Sequence, residues 1–145
     1  MKLDLKLSKE IMGKCKGLKR QSCYFNSTQS IIKKALYIEG IIVNLKGNYF
    51  MEHGWIEKDK KIIDVTAVKF WGKELNVSDY KYYPCLKFSM TGMMNYILKT
   101  RGKTPFFKYF PDLADIMRKK IIQIQKTYPE FNDILININM YNESR

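Results

Sequence analysis

A chain of 145 residues in which 46% are hydrophobic and 14% aromatic is long enough to bury one core and too apolar for a disordered tail. The balance of 26 basic against 14 acidic residues, a formal net charge of +12, admits nucleic-acid or anionic partners. The lysines are spread along the whole chain, however, as in the Lys-, Ile- and Asn-rich product of an AT-rich coding sequence. No segment interleaves aromatic and basic residues as RNA-reading strands do. Nor does any window have the apolar length of a signal peptide or a membrane span. The expectation is one domain over residues 1–145, cytoplasmic and not membrane-bound. Cys15, Cys23 and Cys85 are an odd number at unrelated spacings, which argues against a disulfide framework or a paired zinc motif and for reduced thiols.

In chain order, residues 1–20 are basic and weakly periodic, fitting a short helix or strand followed by a loop carrying Gly13 and Gly17. Residues 23–36 read as a helix: Ser22 is a candidate N-cap, and Ile31, Ile32, Ala35 and Leu36 supply an apolar stripe. Residues 37–45 are β-branched and read as a strand, 46–48 as a turn, and 49–57 as a second strand. Lys58-Asp59-Lys60 reads as a hairpin tip and residues 61–66 as a third strand. One helix followed by an antiparallel meander indicates the α+β class. The aromatic-rich residues 76–84 read as a long loop over the sheet. A helix is expected over 89–99, ended by Thr100-Arg101-Gly102. Another opens at Pro111 or Asp112 and runs through Ile116, Ile121, Ile122 and Ile124 to Tyr128. Residues 132–140 fit either a short strand or a last helix.

Thiol catalysis needs a thiolate, an imidazole beside it, and an acceptor that orients the imidazole. Cys23 falls in the first turn of the expected helix, where the helix dipole favours a thiolate. The chain has a single histidine, His53, so any Cys–His chemistry must use it. With Glu57 roughly opposite Lys61, His53 and Asp64 come near the same end of adjacent strands, within reach of a hydrogen bond. Taken singly, each residue has an ordinary structural reading: a small buried hydrophobe, a strand histidine, a turn-capping aspartate. Cys15 lies between Lys14 and Lys16, which would depress its pKa or simply leave an exposed thiol. Cys85, in an apolar run, is expected to be buried. Trp55 and Trp71 fit either a cleft wall or the core. Asn26 either hydrogen-bonds near the site or satisfies the helix.

The runs Cys23-Tyr24-Phe25-Asn26-Ser27, Tyr37-Ile38-Glu39-Gly40, His53-Gly54-Trp55-Ile56-Glu57 and Ile63-Asp64-Val65-Thr66 resemble the transglutaminase-like (papain-like) superfamily, in particular short members from phages and mobile elements. That superfamily shows a Cys opening a helix, a strand ending in Gly, a His-Ala-Trp-x-Glu strand and an Asp-Pro-Thr strand. Gly54 stands where Ala is usual, an exchange expected to be harmless, and Val65 stands where Pro is usual. The likeness spans residues 21–67, about a third of the chain.

The resemblance implies a transglutaminase-like core, with the catalytic helix packed on an antiparallel β-meander and further helices C-terminal to it. It implies a Cys23–His53–Asp64 triad attacking an amide or thioester carbonyl, as protease, deamidase or transglutaminase-type enzyme, on a protein, peptide or small amide. The Cys23 backbone N–H would serve the oxyanion. Gln21 would be its second donor or would face solvent, with Asn26 and Trp55 in support. No metal or organic cofactor is implied. The alternative is a non-catalytic basic protein on the same scaffold, binding nucleic acid or an acidic protein.

Overall fold

The computed structural model describes residues 1–72 and 75–131. Residues 132–140, open between strand and helix on sequence, lie outside that set. The elements in order are β1 (Lys2–Leu3), α1 (Leu5–Lys14), α2 (Cys23–Gln29), β2 (Leu36–Asn44), β3 (Tyr49–Lys58), β4 (Lys61–Ile63) and α3 (Val65–Phe70). A 3-10 turn (Val77–Asp79), β5 (Tyr80–Phe88), α4 (Met90–Thr100), a second 3-10 turn (Phe106–Lys108) and α5 (Pro111–Thr127) complete them. The strands form one mixed sheet in the order β1-β4-β3-β2-β5, so the expected α+β class holds at that level.

The sheet is built on β2, whose Ile38, Ile41, Ile42 and Val43 are all buried. A strand covered on both faces loses polar alternation and reads as a continuous apolar run. On one face Tyr37, Ile41 and Val43 join Phe50, Leu86 and Phe88 beneath Tyr24, Met93, Phe106, Phe107, Met117, Ile121 and Ile124. On the other face Ile38 and Ile42 pack with Trp55, Ile62 and Leu3. Each such fully buried side chain contributes about 1.5–3 kcal/mol of transfer free energy, so the fourteen-residue aromatic and aliphatic cluster on the first face is the larger source of stability.

Several expectations are corrected. Helix α2 stops at Gln29 rather than running to Leu36. The Ser30 hydroxyl donates to the Ser27 carbonyl (3.0 Å), and two β-branched residues follow, which disfavour helix continuation. Ile31, Ile32 and Ala35 do reach a core cluster, but from an irregular segment, with Lys34 at φ 61°. The hairpin loop is two residues, Asp59 and Lys60, both at positive φ, the arrangement of a type I′ turn. Lys58 therefore faces Lys61 and Glu57 faces Ile62, one step from the expected register. The third strand ends at Ile63, because Asp64 caps a helix instead of extending the strand. Gly13 belongs to α1, and only Gly17 lies in the loop.

The segment read as a loop over 76–84 is largely strand β5, paired with β2. The strand contains a proline, Pro84. It sits on an edge strand beside a bulge, where its missing N–H removes no ladder bond: Glu39 pairs with Leu86 but Gly40 with Pro84, leaving Cys85 as the extra residue. In α5 the buried stripe is Ala114, Met117, Ile121 and Ile124, while Ile116 and Ile122 are exposed. The end of α4 is as expected, with Arg101 in the left-handed region and the Gly102 N–H returning to the Ile97 carbonyl (2.9 Å).

Candidate active site

Helix α2 opens at Cys23 because the chain turns sharply just before it. Gln21 adopts a left-handed φ of 52°, and Ser22 precedes the helix without a side-chain cap. The first-turn N–H groups are thus left uncapped by Ser22. The segment ahead is clamped by Asn26, which is fully buried. Its Oδ1 accepts from the Lys19 N–H (2.8 Å), and its Nδ2 donates to the Lys19 carbonyl (2.8 Å) and the Thr66 hydroxyl (3.0 Å). With both amide protons committed, Asn26 is not an oxyanion donor. It ties the loop before Cys23 to α3.

Helix α2 packs on β3 at Gly54. A Cβ there would lie 2.7 Å from Tyr24 Cδ1 and 3.0 Å from Tyr24 Cα. The glycine is therefore a requirement of close helix–strand contact in this chain, not the harmless exchange expected. It brings Cys23 to the neighbouring strand residue, His53, which is almost fully buried. His53 Nε2 meets Asp64 Oδ2 at 2.7 Å. Asp64 thus takes Nε2, and the ring nitrogen left free for the neighbouring Cys23 thiol is Nδ1. Burial alone would push the imidazole down. The Asp64 carboxylate and the charge of a Cys23 thiolate, with their hydrogen bonds, outweigh it and raise His53 to about 10.

Asp64 is itself held on three sides. Its Oδ1 accepts from the Ala67 N–H (2.9 Å), capping α3, and its own N–H donates to Ser8 Oγ (3.1 Å). Oδ2 accepts a second bond, from the Tyr82 hydroxyl (2.8 Å). The capping role and the imidazole contact are thus compatible in one side chain, because each uses a different oxygen.

Cys23 and His53 line a cleft of about 850 Å³, bordered by Arg20, Gln21, Phe70, Trp71, Glu52 and Lys108 among others. Gln21 is exposed at its mouth. Trp71 covers the imidazole (ring centroids 4.9 Å apart). Trp55 does not line the cleft. It is fully buried and lies behind His53, rings stacked at 6.3 Å, over Gly40, where a Cβ would come within 2.5 Å of its Cη2. The other thiols differ. Burial pushes Cys15 up despite Lys69, opposite to the depression its lysine neighbours suggested. Burial also pushes Cys85 up to about 12, and Cys85 is partly rather than fully buried.

Sequence reasoning passed over Tyr82, Ser8 and Phe70. Tyr82 had a readable signal, the alternation of Tyr80 and Tyr82 on one strand face. Among the described residues no helix is long and apolar enough to cross a membrane. Comparison with protein families, with curated proteins and with solved structures gives no match.

Proposed function

We propose that the chain is a cysteine-dependent hydrolase or acyl-transferase with a transglutaminase-like core, acting on an amide bond through Cys23, His53 and Asp64. One observation carries the reading: the chain's single imidazole is hydrogen-bonded to a buried carboxylate and stands beside the Cys23 thiol, with which it lines an open cleft. The helix–meander order accords with it.

In this mechanism the Cys23 thiolate attacks the amide carbon while imidazolium His53 stands beside it. The C–N bond then breaks as His53 gives its proton to the departing amine, leaving a thioester on Cys23. His53, now neutral, takes a proton from water or an acceptor amine, which attacks the thioester and restores the thiol. Asp64 fixes the tautomer and balances the imidazolium. The Cys23 N–H, first in α2, would donate to the carbonyl oxygen, and Gln21, an amide side chain among the cleft's bordering residues, would join it.

The test is alkylation by iodoacetamide at pH 6, read cysteine by cysteine by mass spectrometry. Cys23 is expected to react at least about ten-fold faster than Cys15 or Cys85, and His53→Ala to abolish the difference. A Cys23 no more reactive than the other two, and indifferent to His53, would return the basic binding protein to first place. Salt-dependent binding of an acidic peptide or DNA, unchanged in Cys23→Ala, would then be its signature.

A further inference from the structure

Tyr82 lies on β5, two strands from β3 in the sheet, yet its hydroxyl reaches the same Asp64 oxygen that His53 uses. Its position opposite Ile42 puts it on the Trp55 face, and its ring meets the Trp55 indole edge-on at 5.1 Å. Burial first, and then the Asp64 charge, hold its phenol well above the ordinary value, so at working pH it stays protonated and can only donate to Asp64. We propose that Tyr82 is a positioning residue of the site, dividing the charge of Asp64 Oδ2 between two donors so that His53 stays neutral, and able to accept a proton, when the thioester is resolved. The proposal rests on the Cys23–His53–Asp64 reading.

The reasoning follows the charges around the ring. His53 faces the Cys23 thiol from α2 and Asp64 from the start of α3. Glu52 on its own strand and Arg20 and Lys108 at the cleft edge are the other charged residues near it. While Cys23 is a thiolate, both it and Asp64 favour imidazolium. Once Cys23 is acylated its charge is gone and Asp64 alone remains to hold the proton on the ring. Deacylation needs that ring neutral, because it must accept the proton of the incoming water or amine. A carboxylate oxygen that already accepts a phenol hydrogen bond is a weaker acceptor for the imidazole N–H. Tyr82 thus eases the second half of the reaction while Asp64 still sets the tautomer. Trp55, held over Gly40, fixes the phenol ring from behind.

One histidine makes the test direct, since NMR of the imidazole reports a single site. In Cys23→Ala, which imitates the uncharged acylated thiol, adding Tyr82→Phe is expected to raise the His53 midpoint by about half a unit to one unit. The same change on an Asp64→Asn background is expected to shift nothing, as a double-mutant cycle requires. Site-specific 3-fluorotyrosine at position 82, a stronger donor of nearly the same shape, is expected to lower the midpoint, and it keeps the question answerable if the Phe variant folds poorly. A midpoint that stays put in both substitutions, or that moves equally without Asp64, overturns the proposal. Alkylation of Cys23 in the otherwise unaltered protein tests the catalytic reading separately, so a failure of one is not mistaken for a failure of the other.

Discussion

Two of the carboxylates buried among the described residues, Glu39 and Asp64, lie on opposite faces of the sheet and are satisfied in nearly the same way. Glu39, in the middle of β2, accepts from the Phe106 N–H, the Phe107 N–H (3.1 Å) and the Tyr37 hydroxyl (2.9 Å). Asp64, at the end of β4, accepts from the Ala67 N–H, the Tyr82 hydroxyl and His53. Each is thus bound by three donors that include a phenol and at least one N–H at the start of a helical turn. The difference lies in the third donor. For Glu39 it is another backbone N–H, which can carry no proton away. Burial then dominates and raises the carboxyl to about 7 in spite of its three hydrogen bonds. For Asp64 it is an imidazole whose far nitrogen meets a thiol at a cleft. A buried carboxylate is structural or chemical according to whether one of its donors is itself titratable and reaches solvent.

The sharpest way to break this comparison is to remove the titratable donor. If the proposed triad holds, His53→Ala should cut the pH 6 alkylation of Cys23 by about two orders of magnitude, measured by mass spectrometry. The fold should survive it. The reverse is expected at the other carboxylate: Glu39→Ala strands two buried N–H groups and a phenol, costing about 3–5 kcal/mol and lowering Tm by about 10 °C or more in calorimetry. Because the Phe106–Lys108 turn follows Pro105, which borders the cleft, that loss reaches the site only through a displaced wall. A smaller effect is expected of Gly54→Ala, about 1–3 kcal/mol from overpacking against Tyr24, with a several-fold loss of Cys23 alkylation as the helix is pushed from His53.

The smallest effects are the pH slopes of stability, best followed by urea unfolding. A carboxyl whose folded pKa is raised binds protons more readily in the native state. Glu39 therefore contributes most below its ordinary 4.5, and this contribution declines as pH rises to about 7. His53, also raised when folded, contributes fully below 6.5 and loses that contribution as pH climbs through about 10. Stability should fall in two steps, with Glu39→Gln flattening the lower and His53→Ala the upper. A single step would mean that Glu39 and His53 do not titrate independently.

How much of this was legible in the sequence differs by region, for physical reasons. The helix start at Cys23, the two central strands and the placing of His53 and Asp64 follow from local patterns, namely a β-branched run, a turn between two strands and a capping residue. What was misread depended on tertiary context. Pro84 is a breaker unless its strand is an edge. Asn26 is a polar helix residue unless a loop lies within its reach, and Trp55 suits cleft or core alike until Gly40 opens a slot for it. The role of Glu39 was not legible, because two of its three partners lie 67 and 68 residues away.

The bulge at Cys85 has an effect out of proportion to its size. Before it, the even-numbered Tyr80 and Tyr82 lean on the Trp55 face. After it, the even-numbered Leu86 and Phe88 belong to the opposite core. One additional residue thus acts as a parity switch, letting a single strand supply the site at one end and the main core at the other. The spacing between Tyr82 and Leu86 is therefore under tighter constraint than the residues that fill it. Two-residue changes in its length keep the phase, whereas a one-residue deletion leaves the aromatic core in place and turns the phenol away from Asp64.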